Sequence, residues 1–159
     1  MGYDLHITRK GDWPNKGDEI SLEEWLAVVA ADPEMRLDGY AEAPLPDGKV
    51  LRVESPSLAV WTAWSHNGKD GNMAWIDWSR GNIDAKNPDR AMRRKMWRLA
   101  QVLNARVQGD DGEFYDDWGD GAYEPLPPPD TEPDIEYEFP RKNARGWLQR
   151  ILSRFSRTR

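Results

Sequence analysis

Apolar and polar side chains alternate along residues 3–9, which is the pattern of a half-buried β-strand. Leu5 and Ile7 fall on the apolar face, and His6 falls on the polar face beside Asp4. Similar patterns predict further strands at residues 37–43, 50–54, 58–65, 73–79, 83–86, 105–109 and 113–115. Turns rich in Gly, Asn, Asp and Pro separate several of these segments, so we expect neighbouring strands to pair antiparallel.

Helical spacing replaces this alternation in two places. The first begins at Ser21 and Glu24, which form the pattern of a capping box. Apolar residues then recur at helical intervals until Asp32-Pro33, which predicts that the helix ends near Ala31.

The second predicted helix begins at Asn87-Pro88, a capping residue followed by proline at the first helical position. Its apolar stripe consists of Met92, Met96, Leu99, Ala100 and Leu103. Its solvated face consists of Arg90, Arg93, Arg94 and Lys95. The order β-α-β-β-β-β-β-α-β-β predicts an α+β fold, with an antiparallel sheet of about five to seven strands and two main helices.

Charge divides the chain into three parts. Residues 1–109 are nearly neutral, residues 110–138 hold twelve Asp and Glu without Lys or Arg, and residues 139–159 hold seven Lys and Arg without an acid. The predicted organisation is a globular domain at residues 1–118, an acidic, proline-rich linker at 119–140 and a basic amphipathic segment at 141–159. The two charged blocks either fold back on each other or serve as solvated tails and interaction surfaces.

The basic segment has the spacing of one more helix. Asn143 is a possible cap, and one helical stripe follows it, formed by Trp147, Leu148, Ile151, Leu152 and Phe155. Such a helix docks on its own domain, lies on an anionic membrane or fills a groove of a partner, and the pattern also allows disorder.

Composition excludes several classes of protein. The chain has no cysteine, so disulfides, thiolate nucleophiles and cysteine-based zinc sites are excluded. It has no run of about 18 apolar residues, and its first residues do not resemble a secretory signal. We therefore expect a cytoplasmic protein, with peripheral contact to the inner membrane through the C-terminal helix as an open possibility.

Nine tryptophans are the most unusual feature of the composition. Trp61, Trp64, Trp75 and Trp78 fall on two neighbouring predicted strands. Alternation groups Trp61 with Trp75, and Trp64 with Trp78, if the register allows. Either all four belong to the core and its rim, or one pair is exposed as a partner-binding surface, for which we assign Trp64 and Trp78.

Candidate chemistry is sparse. His6 and His66 would need to converge with a carboxylate to act as acid and base, and their spacing does not show this. An acidic cluster consists of Asp110, Asp111, Glu113, Asp116 and Asp117. It lacks the spacing of a calcium loop, and turn-forming or solvated acids are the simpler interpretation. Phosphate-binding and nucleophile motifs are absent from the sequence, so we predict no catalytic residue, cofactor, metal or nucleic acid.

Four segments together resemble a group of small, stand-alone bacterial proteins that has no established activity. They are Tyr3-Asp4-Leu5-His6-Ile7-Thr8-Arg9, Ser21-Leu22-Glu23-Glu24-Trp25-Leu26, Gly71-Asn72-Met73-Ala74-Trp75 and Val107-Gln108-Gly109-Asp110-Asp111-Gly112-Glu113. The resemblance covers roughly residues 1–118 and supplies no catalytic residues. In size, acidity and solitary architecture the group is similar to immunity proteins of bacterial polymorphic-toxin systems, including those that use type VI secretion.

This resemblance implies a protein-binding function, in which the molecule occludes the active site of a toxin. The acidic cluster would contact a basic cleft of the toxin, and an exposed tryptophan would anchor the complex. Two alternatives remain at this point: a small enzyme that uses His6 and His66 with acidic residues, and an adaptor tethered to the membrane through its C-terminal helix. The sequence leaves the oligomeric state open.

Overall fold

The computed structural model describes residues 2–122 of the chain, and it has an α+β fold. Its strands are β1 (Asp4–Thr8), β2 (Met35–Leu37), β3 (Tyr40–Pro44), β4 (Val50–Glu54), β5 (Ala59–Trp61), β6 (Trp75–Ser79), β7 (Asn82–Lys86), β8 (Arg106–Gly109), β9 (Phe114–Tyr115) and β10 (Gly121–Ala122). Its helices are α1 (Leu22–Ala31) and α2 (Arg90–Val102), with one 3₁₀ turn at Lys69–Gly71.

Eight strands form one antiparallel sheet in the order β10-β9-β8-β1-β7-β6-β5-β2, and β3 and β4 form a separate two-stranded sheet. The predicted fold class is confirmed, although the main sheet is larger than the five to seven strands we expected. Its additional strands are two or three residues long, and one of them, β10, lies beyond the predicted domain boundary at residue 118. The predicted C-terminal helix lies outside the described residues.

The capping box that starts α1 is present as predicted. The hydroxyl of Ser21 accepts a hydrogen bond from the amide of Glu24, and the Glu24 carboxylate accepts one from the amide of Ser21. Arg9, just after β1, forms two further hydrogen bonds to the same carboxylate, which lower the pKa of Glu24. The capping residue Glu24 therefore also connects α1 to the residue that follows β1.

Helix α2 begins later than its sequence suggests. Its N-cap is Asp89, whose carboxylate accepts from the amide of Met92, so the predicted start at Asn87-Pro88 is wrong. Asn87 instead adopts a left-handed conformation, with φ of 47°, and accepts a hydrogen bond from the amide of Tyr3. A long-range contact to the first strand has replaced the local cap.

The apolar stripe of α2 is buried as predicted, but its solvated face is narrower than expected. Lys95 is only 3% exposed, and its ammonium lies 2.8 Å from both Asp32 and Glu34. This contact joins α2 to the segment that connects α1 to β2. The two carboxylates compensate the charge of the buried ammonium, which an amphipathic pattern alone does not reveal.

The two faces of the main sheet differ in chemistry. Leu5 and Ile7 of β1 point to the face that packs in one cluster with Trp25 of α1 and with Met96 and Leu99 of α2. Because side chains alternate along a strand, His6 belongs to the opposite face. Asp84 lies directly across from it on β7. The helices thus cover one face, and the other face carries the polar residues described below.

Strand β5 is shorter than the strand predicted at residues 58–65. The chain turns after Trp61, where the side-chain amide of Asn67 donates to the carbonyls of Trp61 and Thr62. Trp64 consequently lies in a turn and not on a strand. The register pairs Ala59 with Ile76, so Trp61 shares its face with Trp78 and not, as we expected, with Trp75.

Strands β3 and β4 form a hairpin, which we call the arm, and all five residues of β4 are exposed. No helix among residues 2–122 is both long and apolar enough to cross a membrane.

Candidate functional site

A buried histidine occupies the polar face of the sheet, at the position where β1, β7 and β8 meet. His6 is 4% exposed. Its Nδ1 lies 2.8 Å from Asp84 Oδ1 on β7, and its Nε2 lies 3.1 Å from Asp110 Oδ1, just after β8. The indole of Trp13 stacks on the imidazole, with 3.7 Å between ring centres. We call His6, Asp84 and Asp110 the histidine triad.

Trp13 is held in place by hydrogen bonds to two buried neighbours. Its amide donates to Gln108, and its carbonyl accepts from Asn82. The loop between β1 and α1 is thereby closed over the triad, which explains why a histidine on the polar face is buried.

Opposing effects set the charge of the triad. Burial disfavours the imidazolium, but hydrogen bonds and charges from Asp84 and Asp110 outweigh it, so the pKa of His6 is raised above its ordinary value of 6.5. Burial likewise opposes ionisation of Asp110, yet a hydrogen bond from the amide of Asp4 and the contact with His6 lower the pKa of that carboxyl. The geometry therefore favours an imidazolium between two carboxylates.

This arrangement is poorly suited to acid–base catalysis. A general base needs one ring nitrogen directed at a substrate. In His6 each nitrogen faces a carboxylate and the ring is covered by Trp13. The triad is better suited to holding together β1, β7 and the turn after β8.

The two histidines are not brought together. His66 is exposed, and its ring packs edge-on against Trp64, 3.9 Å from a carboxylate oxygen of Asp89. Its contacts share no residue with those of His6. The convergence that an enzyme based on both histidines requires is not present.

A cleft of about 210 Å³ lies next to the triad. Asp4, Asp77 and Asp84 contribute to its lining, and Trp75 forms part of its wall. Neither histidine lines this cleft or the apolar cavity of about 220 Å³ between α1 and α2. Within residues 2–122, no group of three or more histidine or acidic side chains is arranged to hold a metal ion.

The predicted acidic cluster is divided between the two ends of β9. Asp110, Asp111 and Glu113 lie in the turn before this strand, and Asp116 and Asp117 lie in the turn after it. Asp110 belongs to the triad, and Glu113 is 8% exposed, with its carboxylate accepting hydrogen bonds from the hydroxyls of Tyr3 and Tyr115. Burial and this carboxylate raise the pKa of Tyr115 to about 12. Asp110 and Glu113 are therefore engaged in contacts with other strands, Asp116 makes hydrogen bonds within its own turn, and Asp111 and Asp117 are exposed.

The turn after β9, residues 116–120, is the most distinctive exposed feature of this region, and we call it the Trp118 loop. The indole of Trp118 is 61% exposed. Asp116 orders the loop by accepting hydrogen bonds from the amides of Trp118 and Asp120. Asp117 is also exposed.

Two arginines of α2 hold the Trp118 loop in place. Arg90 donates to the carbonyl of Trp118 and pairs with the Asp120 carboxylate, and Arg94 donates to the carbonyl of Asp117. Gly119 packs so closely that a Cβ there would meet the carbonyl oxygen of Arg90 at 3.0 Å. The exposed indole is thus presented on an ordered support.

The two tryptophans assigned to partner binding are less available than Trp118. Trp78 is half-buried against the core, and its indole N–H donates to the carbonyl of Ile20. Trp64 is half-buried and donates to Asp89. Their contact with a partner stays a prediction.

Sequence reasoning missed Trp118, although a signal for it was present. It lies between Asp117 and Gly119, in neither a strand nor a helix pattern, and a tryptophan in such a turn has no apolar stripe to join. The residues of the predicted C-terminal stripe, Trp147, Leu148, Ile151, Leu152 and Phe155, lie outside the described residues. The membrane-tethering alternative therefore stays a prediction.

Comparison with known proteins adds no family to this description. No protein-family model, curated protein or solved structure matches the chain.

Proposed function

We propose that this protein works by binding another protein, and most concretely that it is a cytoplasmic immunity protein that occludes the active site of a bacterial toxin. The single observation that carries the proposal is the exposed indole of Trp118 on its ordered acidic loop. Tryptophan is enriched among residues that dominate binding energy, because it buries a large area at a small entropy cost.

The order of the Trp118 loop supports this role. Binding through a mobile loop would require about 0.5–1.5 kcal/mol for each side chain that becomes immobilised. Asp116, Arg90 and Arg94 already hold the backbone of the loop before any partner arrives. More of the contact energy of the indole then remains as affinity.

Charge favours a basic partner. The full chain carries a net charge of −6, and Asp117 is exposed beside the indole. Many toxins that act on nucleic acids or nucleotides have basic clefts, and complementary charge accelerates association. Asp111 is also exposed, in the turn before β9.

The test is calorimetry of the full chain with a toxin-like protein encoded by the neighbouring gene. We expect nanomolar affinity, and Trp118→Ala should weaken it by at least about 30-fold, the effect of losing about 2 kcal/mol at a central anchor. Val50→Ala is the matched control, because it also removes exposed apolar surface but lies on the arm.

A second pair of variants tests the charge. Asp117→Asn should slow association and reduce its dependence on salt, because exposed charges act mainly on the association rate. Asp18→Asn removes the same charge from the exposed loop before α1 and should have little effect. An absence of binding at micromolar concentrations, or equal affinity of the wild type and Trp118→Ala, would contradict the proposal.

A further inference from the structure

The arm presents an uncovered apolar face. Its register pairs Ala41 with Val53 and Ala43 with Leu51, so these four side chains share one side. Leu45 follows on the same side, where its amide continues the ladder to the carbonyl of Lys49. Leu45, Leu51 and Val53 are 39%, 51% and 56% exposed.

The opposite face of the arm is mainly charged, and its charged side chains pair with one another. Arg52 pairs with Glu42 and Glu54, and its guanidinium lies 3.9 Å from the ring centre of Tyr40. Charged side chains therefore occupy most of this side, and Val50, which pairs with Pro44 at the turn end of the hairpin, is its one large exposed aliphatic residue. The asymmetry gives the arm the amphipathic character of a strand pair that packs against another element.

A two-stranded sheet of this kind is marginal in water by itself. Independent stability requires a third strand or packing of the hydrophobic face against a helix. Within residues 2–122, the 3₁₀ turn at Lys69–Gly71 contacts β3 beside Pro44, on the charged side of the arm, and neither α1 nor α2 contacts β3 or β4 extensively. The apolar face of the arm therefore has no helix or third strand packed against it within residues 2–122.

We propose that the C-terminal segment at residues 143–155 docks on this apolar face. The sequence of that segment predicts a helix with one apolar stripe, formed by Trp147, Leu148, Ile151, Leu152 and Phe155. A helix of this kind can pack its apolar stripe against the exposed apolar face of the arm. The charge of the arm does not oppose the docking, because residues 40–54 contain three acids and two bases.

The connecting chain is long enough for this contact. Residues 123–142 join the end of the described structure to the segment, and 20 extended residues span at most about 70 Å. A domain of this size has a radius of gyration of about 14 Å. The segment can therefore reach the arm from Ala122 without changing the fold.

Tethering also favours this occupant over a second copy of the chain. The apolar face contains five residues, two of them alanines, whereas a stable interface between proteins uses about 20–30 residues a side. A small contact is sufficient within one molecule, because a linker long enough to span the distance makes the contact intramolecular and raises the effective concentration of the segment. The size of the surface thus fits an internal docking site.

Cysteine pairing tests the contact directly, since the chain contains no native cysteine. We expect the full-length double variant Val53→Cys with Ile151→Cys to form a disulfide within the monomer under mild oxidation. The matched control combines Glu54→Cys with Ile151→Cys and should remain largely unlinked, because Glu54 lies one residue further and on the charged face. A disulfide-linked dimer from the first variant, or equal linkage in both variants, would overturn the proposal.

Amide exchange in the full chain provides a second readout that needs no cysteine. Leu148→Glu with Ile151→Glu should accelerate exchange at Leu51 and Val53 by about tenfold, which corresponds to a loss of about 1.4 kcal/mol. Gln149→Glu with Ser153→Glu makes the same charge change on the polar side of the predicted helix and should leave exchange unchanged. Unchanged exchange in the first variant would also overturn the proposal.

Discussion

His6 illustrates how its neighbours determine the role of a residue. Alternation along β1 assigns it to the polar face, and the structure confirms that side. Its burial has another origin, because Trp13 covers the ring and Asp84 and Asp110 compensate its charge. Asp110 is 104 residues away in sequence. Local patterns therefore predict the orientation of this histidine but not its surroundings.

The triad predicts a pH dependence of stability. Because the pKa of His6 is raised in the folded state, its contribution is fully present below about pH 6.5 and is lost as the pH rises through the raised value. The lowered pKa of Asp110 acts in acid: its contribution is present above about pH 3.8 and is lost as the pH falls through the lowered value.

Urea denaturation between pH 5 and 9 measures this effect. His6→Gln should be less stable than the wild type near pH 5.5, and the difference should narrow as the pH rises above 6.5. His66→Gln leaves the triad intact and serves as the control. A stability difference between His6→Gln and the wild type that stays constant with pH would show that the imidazolium does not stabilise the fold.

The environment of Lys95 shows that the amphipathic pattern of a helix does not always predict which of its residues are exposed. The sequence assigns it to the solvated face of α2, but the structure buries it against Asp32 and Glu34 near the end of α1. Its hydrogen bond and charge lower the pKa of Glu34, together with a hydrogen bond from the indole of Trp61. The contact thus joins both helices and the edge of the sheet.

Replacing this lysine should destabilise the packing of α2. Removing one partner of a fully buried ion pair costs about 3–5 kcal/mol. The carboxylates of Asp32 and Glu34 remain partly exposed, so we expect about 1–3 kcal/mol for Lys95→Met. Gln101→Met on the exposed side of the same helix should change stability by less than about 0.5 kcal/mol. Equal losses in the two variants, measured by chemical denaturation, would contradict the role of Lys95.

The start and end of α1 show what the sequence predicts well. Ser21 and Glu24 interact within one turn, and Asp32-Pro33 ends the helix locally, so both boundaries are readable. The start of α2 cannot be predicted in the same way. The side chain of Asn87 accepts a hydrogen bond from the amide of Tyr3, and Asp89 caps the helix in its place. Element types follow from local patterns, whereas boundaries and registers depend on contacts across the fold.

The candidate site follows the same rule. The acidic residues around β9 are visible in the sequence as one cluster, but only the fold separates the buried Glu113 from the exposed Asp117. Trp118 differs from the strand tryptophans because its turn is anchored to α2 through Arg90 and Arg94. Availability for binding is therefore a property of tertiary structure.

At the scale of the molecule, the described residues present two exposed surfaces with different chemistry. The Trp118 loop combines an indole with carboxylates, and the arm presents aliphatic side chains. We assign the loop to an external, basic partner and the arm to the C-terminal segment of the same chain. These assignments rest on different residues and can fail independently.

Amide hydrogen exchange of the full chain, with and without the toxin-like partner, tests the central claim most directly. We predict that the partner protects the amides of residues 116–120 and the exposed turn around Asp111, while the exchange of β4 changes little. Protection confined to other parts of the chain, with the Trp118 loop exchanging as fast as in the unbound protein, would contradict the account.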